Sequence, residues 1–154
     1  MIKMKYYLQK NYKYKFYFFY YYDIIANELF GGENIKKKII GYLNNITESN
    51  IEKIIEFAIF NNNKLNYIKD NIKHTIIFKE NEIILIRESK EFKNILTFSK
   101  NRSILSEYII KDNNLSVYIL IETLELKYNE KDLYIKYKIV DSNTIYEYKI
   151  TMEE

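Results

Sequence analysis

The chain has 154 residues, of which 28 Ile, 22 Lys, 18 Asn and 17 Tyr make up 85, so a residue of these types at any one position reports composition as much as chemistry. The absence of cysteine excludes disulfides, thiolate zinc sites and thiol catalysis. A single histidine, His74, excludes a multi-histidine metal centre, three glycines leave no phosphate-cradling loop, and a net charge of +3 is too small for a field that gathers nucleic acid over the whole surface.

Residues 1–22 hold eight Tyr, three Phe and five Lys with no acid. Basic residues interleaved with aromatics can bind single-stranded nucleic acid or lie at a membrane surface. AT-rich DNA translated in any frame yields the same residues, so residues 1–34 also read as translated upstream sequence in front of a start at Ile35, or as a genuine addition to the domain. Asp23 followed by Ile24, Ile25, Leu29 and Gly31 reads as a two-turn helix with an N-cap and a C-terminal glycine. No stretch of about 20 apolar residues is present to span a bilayer as a helix, and no secretory signal is visible, so the expected location is the cytoplasm.

From Ile35 onward, short β-branched and aromatic runs are separated every eight to twelve residues by clusters such as Asn61-Asn62-Asn63, Asp70-Asn71, Glu80-Asn81, Asp112-Asn113-Asn114 and Asp141-Ser142-Asn143. This spacing predicts an antiparallel meander in one domain, with Asn replacing Gly as the residue that tolerates left-handed turns. Ile51 to Phe60 fits helical spacing, but its flanks and β-branched content favour a strand. In residues 115–128 the apolar face changes from Val117, Ile119 and Ile121 to Leu124 and Leu126, which predicts a bulge or bend near Glu122 or Thr123. Leu133, Ile135, Tyr137 and Ile139, then Tyr146, Tyr148, Ile150 and Met152, alternate with charged residues as two half-exposed strands. A two-residue loop at Glu80-Asn81 would pair Lys79 with Glu82, Phe78 with Ile83, Ile76 with Leu85 and His74 with Arg87.

Residues 35–154 resemble the YwiB-like family of uncharacterised bacterial cytoplasmic proteins. The matching stretches are Ile39-Ile40-Gly41-Tyr42, Ile84-Leu85-Ile86-Arg87, Ile95-Leu96-Thr97-Phe98, Thr123-Leu124-Glu125-Leu126, Tyr134-Ile135-Lys136-Tyr137 and Tyr146-Glu147-Tyr148-Lys149-Ile150. The resemblance implies a calycin-like, up-and-down antiparallel β-barrel following a short N-terminal extension over 1–34. The connection across residues 61–73 and the bend at Lys111-Asp112-Asn113-Asn114 depart from the family pattern, and the family carries no catalytic residues to transfer.

An inward face of such a barrel would read His74, Ile76, Phe78, Ile83, Leu85, Arg87. Arg87 is one of only two arginines, the other being Arg102. An inward guanidinium must meet either an internal acid, for which Glu122 is the candidate, or the anionic head of a ligand. The candidate binding residues are therefore Arg87, His74 and Glu122, with Tyr108 among the apolar walls. No serine triad or paired-carboxylate site emerges, so the expectation is a protein without catalytic residues, metal or cofactor. It would hold a small amphipathic or anionic ligand, engage neither nucleic acid nor membrane, and at most form a weak homodimer. The alternative is a filled barrel acting as a structural or interaction module, the discriminator being a pocket of about 300 Å³ or more reaching Arg87.

Overall fold

The computed structural model describes residues 33–154. The predicted helix over residues 23–30 and the aromatic leader lie outside the described residues. Ten strands follow: β1 (Ile35–Asn45), β2 (Asn50–Asn61), β3 (Lys64–Lys69), β4 (Ile72–Phe78), β5 (Glu82–Glu88), β6 (Phe92–Ser99), β7 (Ser103–Ile110), β8 (Leu115–Tyr128), β9 (Asp132–Ile139) and β10 (Thr144–Glu153). Each pairs antiparallel with its neighbours in sequence, and β1 also pairs with β10, closing an up-and-down barrel. Closure gives every strand a partner on each side. Among the described residues no helix is long and apolar enough to cross a membrane, a statement that does not extend to strands.

The turns follow from Asn and Asp. Backbone φ is positive at Asn62, Asn63, Asp70, Asn71, Asn101, Asn114 and Asn143, and at Ser49. Asn61 pairs with Lys64 and Lys69 with Ile72, so the β2–β3 and β3–β4 hairpins each have a two-residue loop with both φ positive, the geometry of a type I′ turn. In the loop between β4 and β5, Lys79 N donates to Glu82 O at 2.9 Å, and the pairing below it runs Phe78 with Ile83 down to His74 with Arg87, the predicted register. Ile51 to Phe60 lies in a strand, as its flanks suggested.

β8 bends where the pattern breaks. Thr123 opposes Tyr137 and Glu125 opposes Lys136, so Leu124 has no partner position on β9 and bulges outward, 39% exposed. The inward set of β8 then resumes with Leu126 and Tyr128, both packed on the core.

The barrel is filled through its middle. Ile39, Leu65, Ile76, Ile83, Phe98, Leu133, Ile135 and Ile150 are wholly enclosed, and the Phe98 and Tyr137 rings meet at 5.0 Å between centroids. Truncating Phe98→Ala should leave a cavity that ten hydrogen-bonded strands cannot collapse, lowering unfolding free energy by about 3–5 kcal/mol in a denaturant titration; a loss below about 1 kcal/mol would show that the interior is loosely packed.

Candidate functional site

In an antiparallel ladder, directly opposed residues share a face. Register connects Tyr67 to His74, His74 to Arg87, Arg87 to Asn94 and Asn94 to Tyr108, a continuous row across β3, β4, β5, β6 and β7. Tyr67 and His74 are buried, so the row faces the interior. It lies toward the end of the barrel closed by the loops around residues 46–49, 70–71, 89–91, 111–114 and 140–143. The apolar fill stops one layer deeper, at Ile54, Leu85 and Leu96.

Polar atoms in this layer and the one beneath it lack hydrogen-bond partners. His74 Nδ1, Arg87 Nε, Asn94 Oδ1 and Ser106 Oγ are all buried and unpaired. Ser106 sits where β6 and β7 part company, since their ladder covers only Phe92–Ile95 against Glu107–Ile110. Beyond it Thr123 fills the gap, its Oγ1 accepting from Ser99 N at 3.2 Å and its N donating to Arg102 O at 3.0 Å. Buried polar groups are normally satisfied, so a cluster of exceptions marks a place for water or a ligand.

A cavity of about 20 Å³ adjoins Arg87, lined also by Leu43, Ile54, Tyr67, His74, Tyr137 and Tyr148. That volume admits about one water molecule. Glu52 and Lys69, joined by an ion pair at 2.6 Å, line it as well, and Glu52 is exposed. Lys69 also pairs with Asp70 at 2.6 Å. Arg87 has no carboxylate partner among the described residues, so it is the unmatched cation of the site.

The aromatic side chains around it are neutral. Burial pushes the Tyr67 hydroxyl up to about 12, partly offset by its 2.8 Å hydrogen bond with Tyr148 and by the Arg87 charge. Burial likewise raises Tyr148 and Tyr137, again against the pull of Arg87. The His74 ring stacks on Tyr67 with centroids 4.5 Å apart. Burial first, then the charges of Arg87 and Lys69, lower its pKa from 6.5 to about 3, Asp70 opposing weakly.

Between those two values the unfolded chain binds a proton that the folded barrel refuses, so acid favours unfolding through His74. The stability lost from this one group should reach on the order of 2–3 kcal/mol by pH 4. Thermal midpoints recorded from pH 7 to pH 4 should fall less steeply in His74→Gln than in the wild type; parallel curves would mean that His74 titrates normally.

Sequence searches give no family model and no curated protein that matches the chain. Among solved structures, the crystal structure of the ywiB protein from Bacillus subtilis superposes with a TM-score of 0.53, covering 84% of this chain and 96% of that one at 16% identity. The fold is YwiB-like. At that identity the likeness establishes the barrel and leaves the site to be argued from this chain's own residues.

Within the YwiB-like barrel, the structure brings together Arg87 and His74 of the four expected site residues. Glu122 alternates with the buried Ile121 and Thr123, faces outward and opposes Lys138, so the internal acid expected to neutralise Arg87 is not there. Tyr108 shares the inward row but stacks on Phe92 at 5.4 Å and does not line the cavity. Tyr67, Tyr148, Asn94 and Ser106 were not singled out from the sequence. Extending the hairpin register one strand to each side of His74 and Arg87 would have found Tyr67 and Asn94, whereas Tyr148 and Ser106 depend on closure and on the β6–β7 gap.

A larger depression of about 600 Å³ lies at the opposite end, against Lys79, Glu82, Ser99, Arg102, Leu126 and Tyr128. Its walls mix both charges, Lys79 is within 3.9 Å of Glu82, and the Tyr128 hydroxyl is committed to the Lys79 and Glu80 carbonyl oxygens at 2.7 and 2.8 Å. None of its lining residues has a buried unpaired polar atom, so the smaller cavity has the stronger chemical claim. No cluster of three or more potential metal ligands occurs among the described residues.

Proposed function

We propose that this protein is a non-enzymatic, cytoplasmic binding barrel whose Arg87 end receives the anionic group of a small molecule. The observation that supports the reading is an inward guanidinium with a buried, unpaired Nε, neutral tyrosines and a neutral histidine around it, and no carboxylate paired with it, Glu52 at the cavity wall being bound to Lys69. Leaving a charge so placed costs stability, a cost commonly found where a site is kept for a ligand.

The 20 Å³ cavity limits how such a ligand enters. Pockets that engulf a drug-sized molecule run from about 300 Å³, and the middle of this barrel is solid side chain. An anionic head therefore inserts from the barrel end, with the rest of the molecule outside, in contrast to the deep enclosure of an amphipathic ligand that the calycin likeness suggests.

The filled interior also favours a second reading, an interaction module. With every strand paired on both sides, an outer face could serve it. Leu105 at 61% and Tyr118 at 58% exposure stand on neighbouring strands of the outer β7–β8 face, where Tyr118 opposes Glu107. Native mass spectrometry of the protein purified gently from its source cell discriminates the two: the binding reading predicts a small acidic adduct that is lost on denaturation, and a stoichiometric protein companion with no small adduct would favour the module.

A further inference from the structure

β8 is longer than the strand beside it. Its ladder with β9 covers Ile121–Tyr128 against Leu133–Ile139, and the last contact is Val140 N donating to Leu120 O at 3.0 Å. Leu115–Ile119 runs on beyond the end of β9, laddered with β7 alone among the described residues. A projecting strand of this kind offers its open side as a template for another strand. The usual guards are missing, since no charged residue and no proline lies between Asp112 and Glu122. Leu115, Val117 and Tyr118 are exposed along it.

The stretch is complementary to itself. Successive residues of a strand aim their backbone groups to opposite sides, and Leu120 O points to the β9 side whereas Thr123 N points to the β7 side, where it meets Arg102 O. Ser116 and Tyr118 therefore aim N–H and C=O out of the open side, while Leu115, Val117 and Ile119 aim theirs at β7. We infer that a second copy of this chain pairs here, antiparallel, across a two-fold axis at Val117. Ser116 then opposes the partner's Tyr118, the two exchanging both backbone hydrogen bonds, and the axis repeats that pair. Leu115 meets the partner's Ile119 and Val117 meets the partner's Val117, so one face of the joint is apolar and no like charges are opposed. Moving the axis to Tyr118 would call on Leu120 O, already taken by Val140, and moving it to Ser116 would set Tyr118 against Asn114 in a turn of positive φ. The fit of the segment to its own image favours a second copy over an unrelated strand. Leu115–Ile119 falls well short of the roughly 20–30 residues a side of a standard interface, so the dimer is weak and reversible.

Sedimentation equilibrium of the full chain from about 10 μM to about 1 mM should show a reversible monomer–dimer equilibrium. Hydrogen exchange at the Ser116 and Tyr118 amides should slow as the dimer forms. Val117→Lys places two ammonium groups at the axis and Val117→Glu two carboxylates, so each variant alone should associate at least about tenfold more weakly than the wild type. Mixed together, the two should associate at least as tightly as the wild type, because the axis then carries opposite charges. A monomer throughout the range, or association that either variant leaves unchanged, would overturn the inference, as would a mixture no tighter than each variant by itself. The wild-type amides decide even if a variant fails to fold: exchange at Ser116 and Tyr118 that is independent of protein concentration would place any dimer contact elsewhere and overturn this one.

Discussion

Gly41→Ala is expected to destabilise the barrel by more than about 4 kcal/mol, lowering the thermal midpoint by roughly 10 °C or more. Gly41 lies in β1 opposite Ile150 on β10, in the ladder that joins the first strand to the last. A Cβ added there would overlap the Lys149 carbonyl oxygen and stand 2.9 Å from its carbon and 3.0 Å from Ile150 Cα. Backbone, unlike a flexible side-chain tip, cannot step aside without parting the ladder. Parting it converts a closed barrel into a sheet with two exposed edges, so hydrogen exchange at β1 and β10 amides should accelerate before the rest, and the variant should aggregate. A variant as stable as the wild type would show that the two strands do not approach so closely.

Arg87→Met should abolish binding of small anions and at the same time stabilise the fold, by about 1–2 kcal/mol. Methionine keeps the apolar stem out to about the position of Nε, removes the unpaired Nε and takes away an inward charge with no counterion. The His74 pKa should rise as well, because Arg87 is the second cause of its depression, so acid should destabilise the variant less than the wild type. Greater stability together with lost binding is the signature of a residue kept for function at the expense of the fold. If Arg87→Met is instead clearly destabilised, Arg87 is a structural residue and its surroundings satisfy it.

Much of the fold was legible because it rests on local rules. Period-two alternation placed β9 and β10, and Asn and Asp clusters marked the turns where φ turns positive, most visibly at Asn62-Asn63 and Asp70-Asn71. The two-residue loop at Glu80-Asn81 fixed the hairpin register and with it the adjacency of His74 and Arg87. The break in the apolar pattern near Thr123 located the bulge to within a residue or so. The site was only half legible. Glu122 shares a side of β8 with Leu120 and Leu124, whereas the side that turns in is that of Ile121 and Thr123, and the sequence does not say which of the two faces does so. Tyr67 and Tyr148 meet through a hydrogen bond between strands 81 positions apart, a contact created by closure. The cavity volume depends on how completely Phe98, Ile76 and their neighbours fill the middle, which strand patterns do not specify.

Having only two arginines makes the central claim directly observable. In a nitrogen–proton NMR spectrum of the full chain, the guanidinium Nε–H groups should give one slowly exchanging resonance from Arg87, buried at Nε, and one rapidly exchanging resonance from the exposed Arg102. Titration with a small carboxylate should move the Arg87 resonance and leave that of Arg102 in place. If both exchange rapidly and neither moves, the guanidinium lies in solvent and the proposed site does not exist.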